Sequence, residues 1–184
     1  MPPDRSDRPG GAVAASVTSG SIVPYAPRHA TGVLHVIGTV FREYGATFEP
    51  EGFDDDLLDI EGRYLARGGC FYILEDDGEV VGTVAALPHD ERVCEVKRLY
   101  LLPDRRGRGL GRALLEHVLA WARARGFVTA IAWSDARFVT AHAVYERLGF
   151  RRFGERVADD ADRSVEYGFV LALDAAPGEP AAGR

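Results

Sequence analysis

Three glycines at alternate positions, Gly107, Gly109 and Gly111, stand among four arginines at 105, 106, 108 and 112. Glycine removes the side chain where a ligand must come close to the backbone. Just beyond, Leu110, Leu114, Val118 and Trp121 recur at helical spacing. The glycine run therefore leads into the first turn of a helix, where several N–H groups lack partners and the dipole favours negative charge. Together these features make an anion site suited to a diphosphate. The spacing is Gly-x-Gly-x-Gly, so it is not the G-x-G-x-x-G of a dinucleotide fold. No Lys-Ser/Thr follows, as a P-loop requires.

Other chemistries find less support. The five histidines (29, 35, 89, 117 and 142) show no paired or clustered spacing, so no metal is expected. There is no G-x-S-x-G for a serine nucleophile. Cys70 and Cys94 fall in predicted strands and read as reduced core residues. A net charge of −6 argues against a nucleic-acid-binding surface. No apolar run reaches the roughly 18–20 residues that span a bilayer, and the first twenty residues lack a secretory apolar region. A cytoplasmic address without membrane attachment is the default expectation. The chain has no Asn, no Gln and one Lys, Lys97, a bias expected of a codon-biased bacterial genome.

The elements that must position the loop alternate along the chain. Residues 1–20 and 174–184, rich in Pro, Gly and small residues, read as a disordered leader and a flexible tail around one domain, 21–173. Strands are predicted over Ser21–Ala26, Phe71–Glu75, Val80–Leu87, Val93–Leu102, Phe127–Trp133, Phe150–Val157 and Arg163–Leu173, with Asp76-Asp77-Gly78 as a hairpin turn. Helices are predicted over Ala30–Tyr44, Phe53–Leu65, from Leu110 to Gly126, and along Phe138, Ala141, Tyr145 and Leu148, the last capped by Ser134 or Asp135. This order implies a single-domain α/β fold, a mixed sheet with helices on both faces.

Three segments carry a family resemblance. Arg106-x-x-Gly109-x-Gly111 resembles the R/Q-x-x-G-x-G/A acyl-CoA signature of the GNAT superfamily of N-acetyltransferases. The run Glu95 to Pro103, continuing into Gly109 to Leu115, resembles that family's fourth strand and third helix. Tyr145-Glu-Arg-Leu-Gly-Phe150 is similar to its Y-x-x-x-G-F run. The resemblance implies a GNAT-like fold over residues 20–173, mostly antiparallel, with about seven strands and about four helices. It implies acetyl-CoA as co-substrate in a V-shaped opening between the fourth and fifth strands. The pyrophosphate would sit on Gly107, Arg108, Gly109, Leu110, Gly111 and Arg112, beside Arg106, and the pantetheine along Leu99, Tyr100 and Leu101.

Acetyl transfer from a thioester to an amine, by direct attack in a ternary complex, needs a base and a proton for the leaving thiolate. By the resemblance, Glu95 stands where relatives carry an acidic base, with an ion pair to Lys97 or Arg98 as its alternative role. Tyr145 stands where they carry a tyrosine that serves the sulfur, with an ordinary core tyrosine as its alternative. A backbone N–H near Leu101 would polarise the carbonyl. One departure is Phe138, where many relatives have a cofactor-contacting Asn; Thr140 or Ser134 would have to replace it. The stretch Glu49–Glu61 holds seven acidic residues and no basic one. It is either a lip that attracts cationic amines or a solvated face. A homodimer stays open, and a non-catalytic acyl-CoA-binding module is the alternative function.

Overall fold

The computed structural model describes residues 15–16 and 20–173, so most of the expected leader and all of the tail lie outside the described residues. The strands are β1 (Ala15–Ser16), β2 (Ser21–Pro24), β3 (Cys70–Asp76), β4 (Glu79–Pro88), β5 (Val93–Leu101), β6 (Thr129–Asp135), β7 (Arg151–Val157) and β8 (Val165–Ala172). The α-helices are α1 (Ala30–Tyr44), α2 (Leu110–Ala124) and α3 (Val139–Arg147). The sheet order is β1-β2-β3-β4-β5-β6-β8-β7. Every neighbouring pair is antiparallel except β5 and β6. The expected mixed, mostly antiparallel sheet of about seven strands is therefore present, with the two-residue β1 added at one edge.

Two apolar clusters cover the two sheet faces. Alternation along β3 sends Phe71 and Ile73 to α1, where Val33 and Ile37 wait, and sends Cys70 and Leu74 to α2, against Leu115 and Val118. The turn between β3 and β4 has Asp77 at φ 49° and Gly78 at φ 81°, the left-handed pair that a two-residue hairpin requires.

The helix expected over Phe53–Leu65 is not one helix. It is a 3₁₀ turn, Asp55–Leu58, followed by a π-helical turn, Glu61–Leu65. The apolar spacing is kept, since Leu57, Ile60 and Tyr64 are all buried against α1 and β3. The regular backbone is interrupted at Asp59, whose carboxylate accepts the Gly62 N–H at 2.9 Å. Just upstream, Asp54 and Asp56 both reach one arginine on β5. Neither Ser134 nor Asp135 caps α3. Its N-cap is Phe138, without a side-chain cap, because Asp135 instead binds the Arg137 backbone and guanidinium.

Candidate functional site

Strands β5 and β6 pair only from Val93↔Thr129 to Val96↔Ala132. Beyond Val96 they part, while β6 stays paired on its other edge with β8 from Thr129↔Ala172 to Asp135↔Glu166. The edge of β5 from Lys97 to Leu101 therefore has no strand beside it on the β6 side. A bulge helps to separate them. Between Thr83↔Tyr100 and Ala85↔Lys97, β5 has one residue more than β4, and Arg98 adopts φ 54° there. The Thr83 hydroxyl donates to the Arg98 carbonyl at 2.7 Å and pins the bulge. The gap opens into a cleft of about 660 Å³ that runs through the sheet from the α2–α3 face to the α1 face.

On the α2–α3 face the cleft is lined by Leu99, Leu101, Gly107, Gly109, Leu110, Gly111 and Arg112. Gly107 and Gly109 have φ of 76° and 79°, and a Cβ built on either meets nothing within 4 Å. They are glycines because of their own backbone conformation, and they leave the loop open. Gly111 is different. It is helical, and a Cβ there would meet only Val144 Cγ2 at 3.8 Å, an ordinary contact. Helix α2 begins at Gly109 with no side-chain cap; its first bond runs from Ala113 N–H to Gly109 O. The N–H groups of Leu110, Gly111 and Arg112 are therefore available to an anion.

The arginines serve a different purpose from the one their number suggests. Arg105 binds Asp76 at 2.6 Å, and Arg112 binds Glu116 at 2.8 Å. Arg106 forms a fork on Glu43, 2.7 Å to each oxygen, and donates to the Leu101 carbonyl at 3.1 Å, tying the loop to the end of α1. Arg108 is exposed, has no carboxylate partner among the described residues, and does not line the cleft.

Tyr145 reaches the cleft from α3 and is 4% exposed. Its ring packs on Phe150 and Phe169, both at 5.2 Å, rather than on Phe138. Burial pushes its hydroxyl well above the usual tyrosine range, with the charges of Tyr100 and Glu95 adding to the effect. Among the described residues no hydrogen bond engages that hydroxyl, although the residue lines the cleft. Glu95 comes from β5, opposite Leu87, and so projects to the α1 face. It is 21% exposed and accepts from Lys97 Nζ at 3.3 Å.

The α1 face of the cleft was largely hidden in the sequence. Phe41 and Tyr44 of α1, Tyr100 of β5 and Phe138 form one aromatic wall, with ring centroids 5.1–5.8 Å apart. The Tyr100 ring thus belongs to this face, while Leu99 and Leu101 face α2. Of the two residues that could replace the missing Asn, Thr140 bonds Tyr44 at 3.0 Å and Ser134 bonds His142 at 3.2 Å.

Arg98, its side chain 10% exposed, binds Asp54 at 2.7 Å and forks onto Asp56, which also accepts the Tyr64 hydroxyl. Asp55 pairs with Arg63. From the acidic stretch only Phe53 and Asp54 line this cleft, so much of its charge is spent within the fold.

Further along the α1 face the rim is stitched across more than 100 residues of sequence. Asp162 accepts from Thr47 N–H at 3.0 Å, Thr47 Oγ1 at 2.6 Å and Arg137 Nη2 at 3.0 Å. Arg137 also holds Asp135, Ser164 and the Gly45 carbonyl. These bonds hold the Asp162 carboxyl down to about 2. Elsewhere, burial pushes the Cys70 thiol up to about 12 and the Cys94 thiol up to about 11, so neither is a nucleophile near neutral pH. Among the described residues no His, Cys, Asp and Glu group could hold a metal, and no helix is long and apolar enough to cross a membrane.

Comparison with known proteins bears on this geometry. The chain is 31% identical over 152 residues to human N-acetyltransferase 8B, covering 79% of this chain and 66% of that protein. It spans 38–66% of the length of the first three curated relatives it matches. An acetyltransferase structure from Streptococcus agalactiae superposes with a TM-score of 0.75 at 27% identity, covering 85% of this chain and 99% of that one. An acetyltransferase from Salmonella typhimurium, solved with its cofactor acetyl-CoA, shares the fold at 19% identity with a TM-score of 0.70, covering 90% of this chain and all of that one. Residues 37–150 match the model of the acetyltransferase (GNAT) family.

Proposed function

The chain belongs to the acetyltransferase (GNAT) family, and from that premise we propose that it transfers the acetyl group of acetyl-CoA to a primary amine of a small molecule or peptide. The observation that carries this reading is the parting of β5 and β6. It places an uncapped helix N-terminus and open glycines on one face of the sheet and a carboxylate, Glu95, on the other. The residues fit the co-substrate. The N–H groups of Leu110, Gly111 and Arg112 suit its diphosphate, and the unpaired β5 edge from Lys97 to Leu101 suits the amides of its pantetheine arm.

The roles divide by face. Glu95 is the base that takes a proton from the entering amine, directly or through water. Tyr145, with a hydroxyl too weakly acidic to ionise unaided, stays protonated at neutral pH and donates to the departing thiolate. A β5 backbone N–H near Leu101 stabilises the carbonyl oxygen. The aromatic wall of Phe41, Tyr44, Tyr100 and Phe138 takes the place of the polar contact an Asn would make. A cytosolic place of work belongs to the same reading, supported by two free, buried thiols.

Thiol release from acetyl-CoA over a panel of amino acids, polyamines, aminoglycosides and short peptides tests the reading, together with calorimetric titration by acetyl-CoA. Binding with an amine-dependent release of thiol is expected. Binding without release for any amine would favour the acyl-CoA-binding module, and absence of binding would remove both.

A further inference from the structure

The chain contains one lysine, and it lies in the cleft. Lys97 follows Glu95 by two residues on β5, so both side chains leave the strand on the α1 face. Its Nζ donates to Glu95 Oε1 at 3.3 Å, and the side chain is 33% exposed. Of the six arginines that line the same cleft, five are committed to a carboxylate: Arg98 to Asp54, Arg106 to Glu43, Arg112 to Glu116, Arg137 to Asp135 and Arg156 to Glu166, Arg147 being the sixth. A guanidinium remains protonated and does not act as a nucleophile, whereas a lysine amine on its flexible stem can lose its proton and attack. The cleft thus holds a primary amine against the carboxylate that an amine substrate would have to meet.

We propose that Lys97 is itself an acetyl acceptor, so that the chain acetylates its own cleft. This rests on the acetyl-transfer reading above. Glu95 takes a proton from Lys97 Nζ, and the freed electron pair attacks the thioester carbonyl carbon. A C–N bond forms, the C–S bond breaks, and the second proton of the attacking nitrogen passes to solvent. The leaving thiolate takes a proton from the Tyr145 hydroxyl, which solvent restores. The products are Nε-acetyl-lysine and the CoA thiol, with no change of oxidation state. The acetylated side chain carries no charge, releases Glu95 and fills the space of an external amine, so modification limits turnover.

The test incubates the full chain with acetyl-CoA and follows intact mass and a peptide map, which separates Lys97 from the terminal amine. One acetyl group at Lys97 is expected, forming at least about tenfold more slowly in Glu95→Gln and in the parent held unfolded by denaturant. Turnover with an external amine should fall in step with the modified fraction. An unmodified Lys97 in protein that binds acetyl-CoA and acetylates an amine overturns self-acetylation alone. Modification as fast in the unfolded chain does the same. Failure to bind acetyl-CoA in the calorimeter overturns the functional reading along with it.

Discussion

The two faces of the cleft are built from different materials. On the α2–α3 face the lining is glycine, apolar side chains and backbone N–H groups, supplied mostly by the segment from Leu99 to Arg112, with Ala141, Val144 and Tyr145 added from α3. On the α1 face it is aromatic rings, ion pairs whose partners lie 42–44 residues apart at Arg98, and hydrogen bonds that join Thr47 to Asp162, 115 residues apart. The first face makes few internal side-chain bonds and keeps its donors for a ligand. The second spends its polar groups on holding itself together. A ligand recognised by backbone alone tolerates change elsewhere in the chain, whereas a wall of paired side chains can be reshaped only by altering both partners.

The largest effect should test that division through stability. Arg98→Leu leaves the buried Asp54 and the half-buried Asp56 without their cationic partner, a loss of about 3–5 kcal/mol in denaturant unfolding. Acetyl-CoA affinity of the folded protein, measured in the cold by calorimetry, should change much less. If affinity collapsed along with stability, the two faces would not be separable.

Next comes the converse. Gly111→Val adds a side chain in the first turn of α2 at a helical position with room for its Cβ, so the melting temperature should hold. Acetyl-CoA affinity should fall about 10²-fold, roughly 2.7 kcal/mol, as the side chain crowds the anion. Gly109→Val is the less clean variant, because its φ of 79° adds strain of about 1–2 kcal/mol to the fold itself. Unaltered binding in Gly111→Val would place the diphosphate elsewhere.

Tyr145→Phe comes third and lies where the two faces meet. The rings of Phe150 and Phe169 keep their contacts. Stability should therefore shift by about 1 kcal/mol or less, while turnover falls about 10²-fold with little change in acetyl-CoA affinity. A thioester with a more acidic thiol should show a smaller deficit. Equal deficits would make Tyr145 a positioning residue.

Arg106→Ala should cost about 0.5–2 kcal/mol of acetyl-CoA affinity. Its fork on Glu43 makes it a strut, so Glu43→Gln should reproduce much of the loss. An Arg106 effect that vanishes in high salt, with Glu43→Gln silent, would return the residue to long-range attraction.

The smallest effect concerns the stitched rim. Asp162 has its folded pKa lowered from 3.8 to about 2, so its contribution to stability is present above about 3.8 and is lost as the pH falls towards 2. In Asp162→Asn the acid-unfolding curve should lose that part of its pH dependence, and the Thr47 amide should exchange faster with deuterium. An Asn variant with the parent's acid curve would make the rim incidental.

Much of the fold was legible because its signals are local. The spacing of Val33, Val36, Ile37 and Val40 places α1 at Ala30–Tyr44, as the structure has it. Asp77-Gly78 marks the hairpin, and the glycine loop announces an anion before any partner is known. The segment 53–65 was misleading for the same reason. Its apolar period belongs to a helix, but Asp54 at the start of the 3₁₀ turn and Asp56 within it both bind Arg98, and the regular backbone breaks at Asp59.

Taken alone, then, the amino-acid sequence determined the element order, the α/β class and the backbone-lined half of the cleft. Each depends on residues a few positions apart, whose periodicity and turn chemistry act before the chain collapses. Tertiary structure alone decided that β5 and β6 part after Val96, that Tyr100 and Phe138 join α1 in one aromatic wall, and that Arg105, Arg106 and Arg112 face carboxylates while Arg108 does not. It also decided that Lys97 lies against Glu95 inside the cleft. These arrangements depend on strand register, on which sheet face a bulge turns a side chain toward, and on ion pairs between distant segments. Such distances exist only once the chain is folded.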